Sequence, residues 1–388
     1  MRPRFELAQI IDRFKQEFEQ KHTPNTYLLR TLSALQRCRT AALGGHADKC
    51  DTCGHVRISY NSCRNRHCPK CQNTQREAWI EDRKQDLIPA PYFHVVFTVP
   101  NKLNSLFMHH PVALNNILFR TAWETIAQFS FTKMNAETGM VAVLHTWGQN
   151  LSLHPHLHCV VPGGGIDHRN RWKPVPISST GKAFLFRVEH LSRVFRGKFI
   201  TAVQEQLPQE KTFINALYKT NWVVYAKAPF AGPDQVLEYL GRYTHKVAIS
   251  NHRLLNISDE GVTFRWRDYR DNQKKVMTLE GSEFLRRFCQ HFLPRGFGRL
   301  RHSGLLSSTK RPLLRSLQRC LGIAVCDTPK QKQDWKVICR EKLNYDPDTC
   351  PCCGKGRMIP FERILPGRAP PLPEPATKQA INDFMHPN

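Results

Sequence analysis

Three histidines alternate in the stretch "SLHPHLHCVVPGGG": His154, His156 and His158. On a strand, successive side chains point to opposite faces, so these imidazoles share one face while Pro155 and Leu157 point away. Neutral imidazole is the commonest protein ligand for transition metals. His156 and His158 make a ligand pair that needs a third member. No Asp or Glu occurs between Glu137 and Asp167. The third ligand is therefore His154, Gln149, or a residue from a distant element such as His94, His145 or His245, and strand parity favours His154. The same pattern also occurs where histidines are simply packed or solvated.

The cysteines offer a second chemistry. Cys50-x-x-Cys53 and Cys68-x-x-Cys71 are separated by fourteen residues, the spacing of two turns that supply four thiolates to one tetrahedral zinc. Gly54 follows the first pair, where a tight turn needs a small residue. Cys38, His46, Cys63 and His67 remain, either as a second zinc set interleaved with the first or as free thiols beside surface histidines. Near the C-terminus, "CPCCG" is half a site that Cys326 or Cys339 could extend. Arg57, Arg64, Arg66 and Lys70 lie between ligands, which suits a zinc module held against phosphates.

A third group lies in "GPDQVLEYLGRYTHKVAIS". Gly232-Pro233 can open a helix on which Tyr239 and Tyr243, four apart, share a face with Arg242, His245 and Lys246 nearby. A tyrosine with a pKa of about 10 is a weak nucleophile at neutral pH, so it needs an electrophilic phosphorus and a nearby positive charge. A half-buried tyrosine pair packed on a sheet is the other reading.

These groups sit in a chain of 388 residues whose 57 Lys and Arg exceed its 32 Asp and Glu, for a formal charge of +25 and a pI near 9.8. Such a surface draws polyanions, nucleic acid first among them. From Phe284 to Cys326 there are nine basic residues, Arg295, Arg299 and Arg301 among them, and no acidic one, so this stretch reads as a nucleic-acid-contacting arm. The N-terminal segment breaks its apolar residues with charges at helical spacing (Leu7, Ile10, Ile11, Phe14, Phe18), unlike a signal peptide. No apolar run is long enough to span a bilayer. An intracellular protein is expected, its 14 cysteines thiols or metal ligands rather than disulfides.

Strand-like runs at "YFHVVFTVP", "MVAVLHTWG", "HLHCVVPGG", "NWVVYAKAPF", "KVAIS" and "VTFRWRDY" alternate with helical spacing over 112–129, 188–206 and 236–243. This mixture predicts an α+β fold, a sheet covered by helices. The tail "LPGRAPPLPEPATKQ" is proline-rich and lacks a structural pattern.

His156-Leu157-His158, the Tyr239-x-x-x-Tyr243 segment and the preceding cysteine module together resemble the two-tyrosine HUH transposases of rolling-circle insertion sequences. The resemblance runs from about Thr31 to Ser307 and includes "NSCRNRHCPKCQ", "YLGRYTHKVAISNHRL" and "FLPRGFGRLRHSG". It implies a zinc-binding N-terminal domain, a catalytic domain on a central antiparallel sheet, a divalent metal (Mg²⁺ or Mn²⁺), and single-stranded DNA as substrate. It further implies Tyr243 and Tyr239 as nucleophiles, Lys246 as a phosphate or phenolate partner, and a bacterial cytoplasmic protein that joins the nucleoid when bound to DNA. The expected domains are 1–91 (helix and zinc module), 92–310 (catalytic) and 311–388 (basic C-terminal region). A replication initiator or relaxase shares the core chemistry, a non-catalytic zinc DNA-binding protein would use only the basic and cysteine elements, and a metal hydrolase would use the histidines on water.

Overall fold

The computed structural model describes residues 3–176, 185–208, 211–227, 235, 236, 241, 244, 246–268, 271–325 and 334–367. A five-stranded antiparallel sheet carries the histidines. Its strands are β3 (Tyr92–Thr98), β4 (Gly139–Trp147), β5 (Leu153–Pro162), β8 (Val223–Lys227) and β12 (Leu300–Gly304), in the order β12-β4-β5-β3-β8. After β5 the chain makes a short ribbon of β6 (Gly164–Ile166) and β7 (Trp172–Pro174). Alternation divides the central sheet into two faces. Phe97, Leu157, Cys159 and Val161 belong to the main apolar core with α4 (Asn104–His109), α5 (Pro111–Met134) and α6 (Val188–Gln206). On the opposite face, Tyr92, Val141, Val143 and Val160 meet Val236 and Trp79.

The expected amphipathic N-terminal helix is α1 (Leu7–His22), and Leu7, Ile10, Ile11, Phe14 and Phe18 are all buried. It lies against the helix Gly281–Cys289 so closely that a Cβ on Gly281 would sit 2.1 Å from the Phe14 ring. Both helices share a second core with Phe264 and Leu254 of the small sheet β9 (Leu254–Ser258), β10 (Gly261–Arg267) and β11 (Lys274–Leu279), and with Cys38, Cys68 and Cys71. The N-terminal segment is thus packed on residues beyond 250 rather than folded alone. "KVAIS" forms no strand: Ala248 and Ile249 are buried in this second core, which uses their apolar surface without a hydrogen-bonded ladder.

After α2 (Thr26–Gln36), β1 (Gly45–Cys50) and β2 (Val56–Tyr60) form a hairpin. Its third strand is β13 (Met358–Ile364), which pairs antiparallel with β1 from the far end of the chain. From Cys71 onward α3 (Gln72–Lys84) runs to the central sheet, where its Trp79 joins the face that bears the histidines.

Candidate metal centre and nucleic-acid interface

Antiparallel register places His145 of β4 directly opposite His156 of β5, with His158 two residues along the same face. Ligand atoms of these three histidines all lie within 4.8 Å of one another. His156 Nδ1 bonds the His154 carbonyl oxygen at 2.6 Å, and His158 Nδ1 bonds His94 Nε2 at 3.0 Å. Those bonds engage Nδ1 on both rings, so Nε2 is the atom each ring would turn to a metal. His94, on β3, stacks on His158 with ring centroids 5.2 Å apart and so fixes its plane. Burial pushes His156 down to about 3, and burial beside the His145 ring lowers His158 further, so both are neutral and able to ligate.

His154 does not join this group. The register of β4 on β5 shifts between His145 and Trp147, so one residue more lies on β5, across from Thr146. A bulge at Pro155, which has no N–H to give the ladder, breaks the period-two parity that would have aligned His154. Instead His154, its ring centroid 5.0 Å from that of His156, lines a neighbouring cleft of about 440 Å³ with Asn101, Asn104 and Asn221. The three-imidazole set of His145, His156 and His158 fits a divalent ion with open positions, and its nitrogen donors favour Mn²⁺ over Mg²⁺.

Tyr239, Tyr243, Arg242 and His245 lie outside the described residues. Their described neighbours Val236, Gly241 and Thr244 are helical. Val236 is buried against Tyr92, Val141 and Val160, and Gly241 abuts α3, where a Cβ would come within 2.3 Å of Ile80 Cδ1. The carbonyl oxygens of Thr244 and Lys246 accept from Arg299 at 2.6 and 3.3 Å. Lys246, exposed but lowered from its ordinary value by desolvation from the groups packed around it, is close enough for its charge to bear on His156 and His158.

The cysteines group differently from the sequence expectation. Cys38, Cys63, Cys68 and Cys71 form one cluster and Cys50, Cys53, Cys350 and Cys353 another. The hairpin explains the regrouping: Gly45 pairs with Tyr60 at its root, whereas Cys50 and Cys53 sit at its tip. Five paired residues at 3.4 Å each put the tip about 17 Å from the root. Cys68 and Cys71 are consequently completed by Cys38 and Cys63 at the root. Their sulfurs stand at 3.5 Å (Cys38–Cys71, Cys38–Cys68) and 3.7 Å (Cys63–Cys71). Crowding splits their acidities, raising Cys63 and Cys68, each with Cys38 as leading cause, and lowering Cys71. Four thiolates so close require a cation to be charged together, which is the donor set of structural zinc. His46 is instead exposed beside Asp48 at 3.6 Å, and His67 is buried against Phe292 with centroids 4.5 Å apart.

Of the basic residues expected at DNA, Arg64 and Arg295 are exposed. Arg66 donates to the carbonyls of Leu293, Pro294 and Phe297, at 2.9, 2.8 and 2.6 Å, and so ties the cysteine module to the loop before β12. Lys70 pairs with Glu6 at 2.5 Å. Arg301 lies over the Phe119 ring at 4.2 Å, and Arg299 is lowered to about 10 by burial. These four serve internal contacts.

A cysteine module and a histidine-bearing antiparallel sheet in one basic chain fit the class of DNA-processing enzymes with structural zinc. Comparison with known proteins gives the class its name. The family described as "Putative transposase" matches residues 139–312, and the "Transposase zinc-binding domain" matches residues 10–99. The chain is 43% identical over 384 residues to "Putative transposase y4qJ" of Sinorhizobium fredii, covering 92% of this chain and 95% of that one. It is 27% identical over 352 residues to "Transposase for insertion sequence element IS801" of Pseudomonas savastanoi pv. phaseolicola, covering 85% of this chain and 82% of that one. The chain belongs to the rolling-circle insertion-sequence transposase family. No solved structure matches it. Among the described residues, no helix is long and apolar enough to cross a membrane.

Proposed function

We propose that this transposase cleaves and rejoins single-stranded DNA at insertion-sequence ends through a tyrosine nucleophile. The observation that carries this reading is the convergence of His145, His156 and His158 on the sheet face against which Val236 packs. A divalent ion held by these histidines, Mg²⁺ or Mn²⁺, would supply Lewis acidity at the scissile phosphate. His94 orients His158 through its hydrogen bond, and Lys246 offers positive charge to the phosphate or to the phenolate. The Tyr243 oxygen, having lost its proton, attacks phosphorus; the bond to the 3′ oxygen breaks, and that oxygen takes up a proton. A 5′-phosphotyrosine and a free 3′-OH result, so the bond energy is kept for religation without ATP. Tyr239 would attack a second strand while Tyr243 is occupied. Structural zinc on Cys38, Cys63, Cys68 and Cys71 would hold the start of α3, whose Ile80 meets Gly241, between the two tyrosine positions in sequence.

Labelled single-stranded DNA from an element end, incubated with protein and Mn²⁺ and run on a denaturing gel, tests the reading. A slow covalent species is expected for the wild type and lost in Tyr243→Phe and His156→Ala. Transfer of the labelled end to a second oligonucleotide distinguishes a transposase from an enzyme that only nicks. Binding without any covalent species would refute tyrosine catalysis.

A further inference from the structure

A second cluster of thiols joins Cys50 and Cys53, inside the zinc-binding match over residues 10–99, to Cys350 and Cys353 far beyond it. Two stretches of identical spacing form it: "CDTCG" at 50–54 and "CPCCG" at 350–354. Both close with a glycine in left-handed conformation, Gly54 at φ 71° and Gly354 at φ 67°. Each turn is held the same way, with Gly54 N–H donating to the Cys50 carbonyl at 3.2 Å and Gly354 N–H to the Cys350 carbonyl at 2.9 Å. Backbone N–H groups point at the sulfurs: Cys53 at Cys50 Sγ (3.5 Å), Cys352 at Cys350 Sγ (3.4 Å) and Gly356 at Cys353 Sγ (3.3 Å). Such donors stabilise thiolates, and a pair of turns of this kind facing each other presents four sulfurs to one point.

The spacing across the two turns is diagnostic. Cys50 Sγ lies 3.8 Å from Cys353 Sγ, and Cys53 Sγ lies 3.7 Å from Cys350 Sγ. A tetrahedron with Zn–S bonds of 2.3 Å has edges of about 3.8 Å. A disulfide needs about 2.05 Å, so these pairs are not disulfides. The turns are locked to one another by Asp51 Oδ1, which accepts from the Arg357 N–H at 2.8 Å. Beyond its ladders and Arg57, which donates to Asp48, Tyr345 and the Pro347 carbonyl, the three-stranded sheet β13-β1-β2 has little to hold it. Its apolar core at this end is Cys50, Cys350 and Met358 with part of Cys353, while Val56, Ile58, Ile359 and Phe361 are exposed. A sheet with so small a core needs a staple.

We propose that Cys50, Cys53, Cys350 and Cys353 bind a second tetrahedral zinc ion, a clasp that fastens the C-terminal strand onto the N-terminal sheet. The clasp holds in place one wall of a groove of about 1040 Å³, to which β2 and the loop after it contribute Tyr60 and Arg64 and the C-terminal segment contributes Trp335, Lys336 and Tyr345. Cys352, exposed at the third position of its turn, takes no part. This inference does not depend on the tyrosine chemistry.

Zinc content of the purified full-length protein, measured by inductively coupled plasma mass spectrometry, is the test. Two zinc ions per chain are expected, falling to one in the Cys350→Ser/Cys353→Ser double variant and staying at two in Cys352→Ser. The wild-type count needs no variant to fold: one ion per chain, or iron in place of zinc, overturns the proposal. Two ions retained by the double variant overturn it as well. Hydrogen exchange gives the structural readout. In the double variant, amides of 45–60 and 358–364 should lose protection while those of α1 keep it, and unchanged protection of the sheet refutes the clasp.

Discussion

Replacing His94 by Phe separates the ligand set His145, His156 and His158 from the set with His154 that strand parity suggests. Phe keeps the ring that stacks on His158 but removes the Nε2 atom that bonds His158 Nδ1 at 3.0 Å. Loss of such an outer partner typically costs 10–100-fold in metal affinity, or about 1.4–2.7 kcal/mol. His145→Ala removes a ligand outright and should cost more than about 100-fold, since an outer-partner loss already reaches that figure. His154→Ala takes away a ring that stands 5.0 Å from that of His156 but supplies no ligand atom to the set, and should change affinity by less than about threefold, within about 0.7 kcal/mol. Isothermal titration of Mn²⁺ into the four proteins, zinc-replete and checked by circular dichroism, gives the series directly. The order wild type, His154→Ala, His94→Phe, His145→Ala is expected, with cleavage of end DNA falling in the same sequence. If His154→Ala loses as much affinity as His145→Ala, or His94→Phe loses none, the three-imidazole geometry is wrong.

Gly241→Ala should reduce end cleavage, because the added Cβ meets Ile80 and costs about 1–3 kcal/mol of overpacking; Ile80→Ala in the same chain should restore most of it, and failure of that rescue would break the proposed link from α3 to the tyrosine segment. Cys63→Ser should lower zinc content by one ion and loosen α2 and the start of α3, while leaving Mn²⁺ binding at the histidines measurable by titration. His291, buried with its nitrogens bonded to Thr146 and the Leu151 carbonyl, is pushed down to about 4. Its unfolded state binds the proton first, so the stability it contributes is complete above about pH 6.5, declines as pH falls, and is gone below about 4, a change of about 3 kcal/mol. Urea unfolding monitored across that range should show the decline, to which the lowered His67, His156 and His158 also contribute, and His291→Gln should make it shallower by its own share.

The sheet and its histidine face were legible because period-two patterning survives in "YFHVVFTVP" and "MVAVLHTWG", and α6 occupies the 188–206 span that its spacing predicts. What escaped the sequence is relational. His145 could be named as one candidate among several, but only the register of β4 on β5 sets it opposite His156. His154 looked aligned because a bulge leaves no mark on a one-dimensional alternation. The cysteines misled for a similar reason: Cys-x-x-Cys spacing shows that two sulfurs converge, not which other pair they meet. A hairpin of five paired residues and a partner from beyond residue 350 decided that. Arginines expected at phosphate, such as Arg66, turned out to serve buried carbonyls, a use that composition does not distinguish.

The pairing of β1 with β13 also bears on how the protein is made. Chains emerge from the ribosome N-terminus first, and segments fold as their partners appear. Here the strand of residues 45–50 waits for residues 358–364, so until those are made its hairpin is a two-stranded fragment, marginal in water. A chain cut short by a frameshift or an internal stop before that strand would leave one edge of β1 unpaired. Completion of the N-terminal sheet therefore reports that translation has run to within a few residues of strand β13's end, and a decayed copy of the element would yield a product marked by its own unfinished fold.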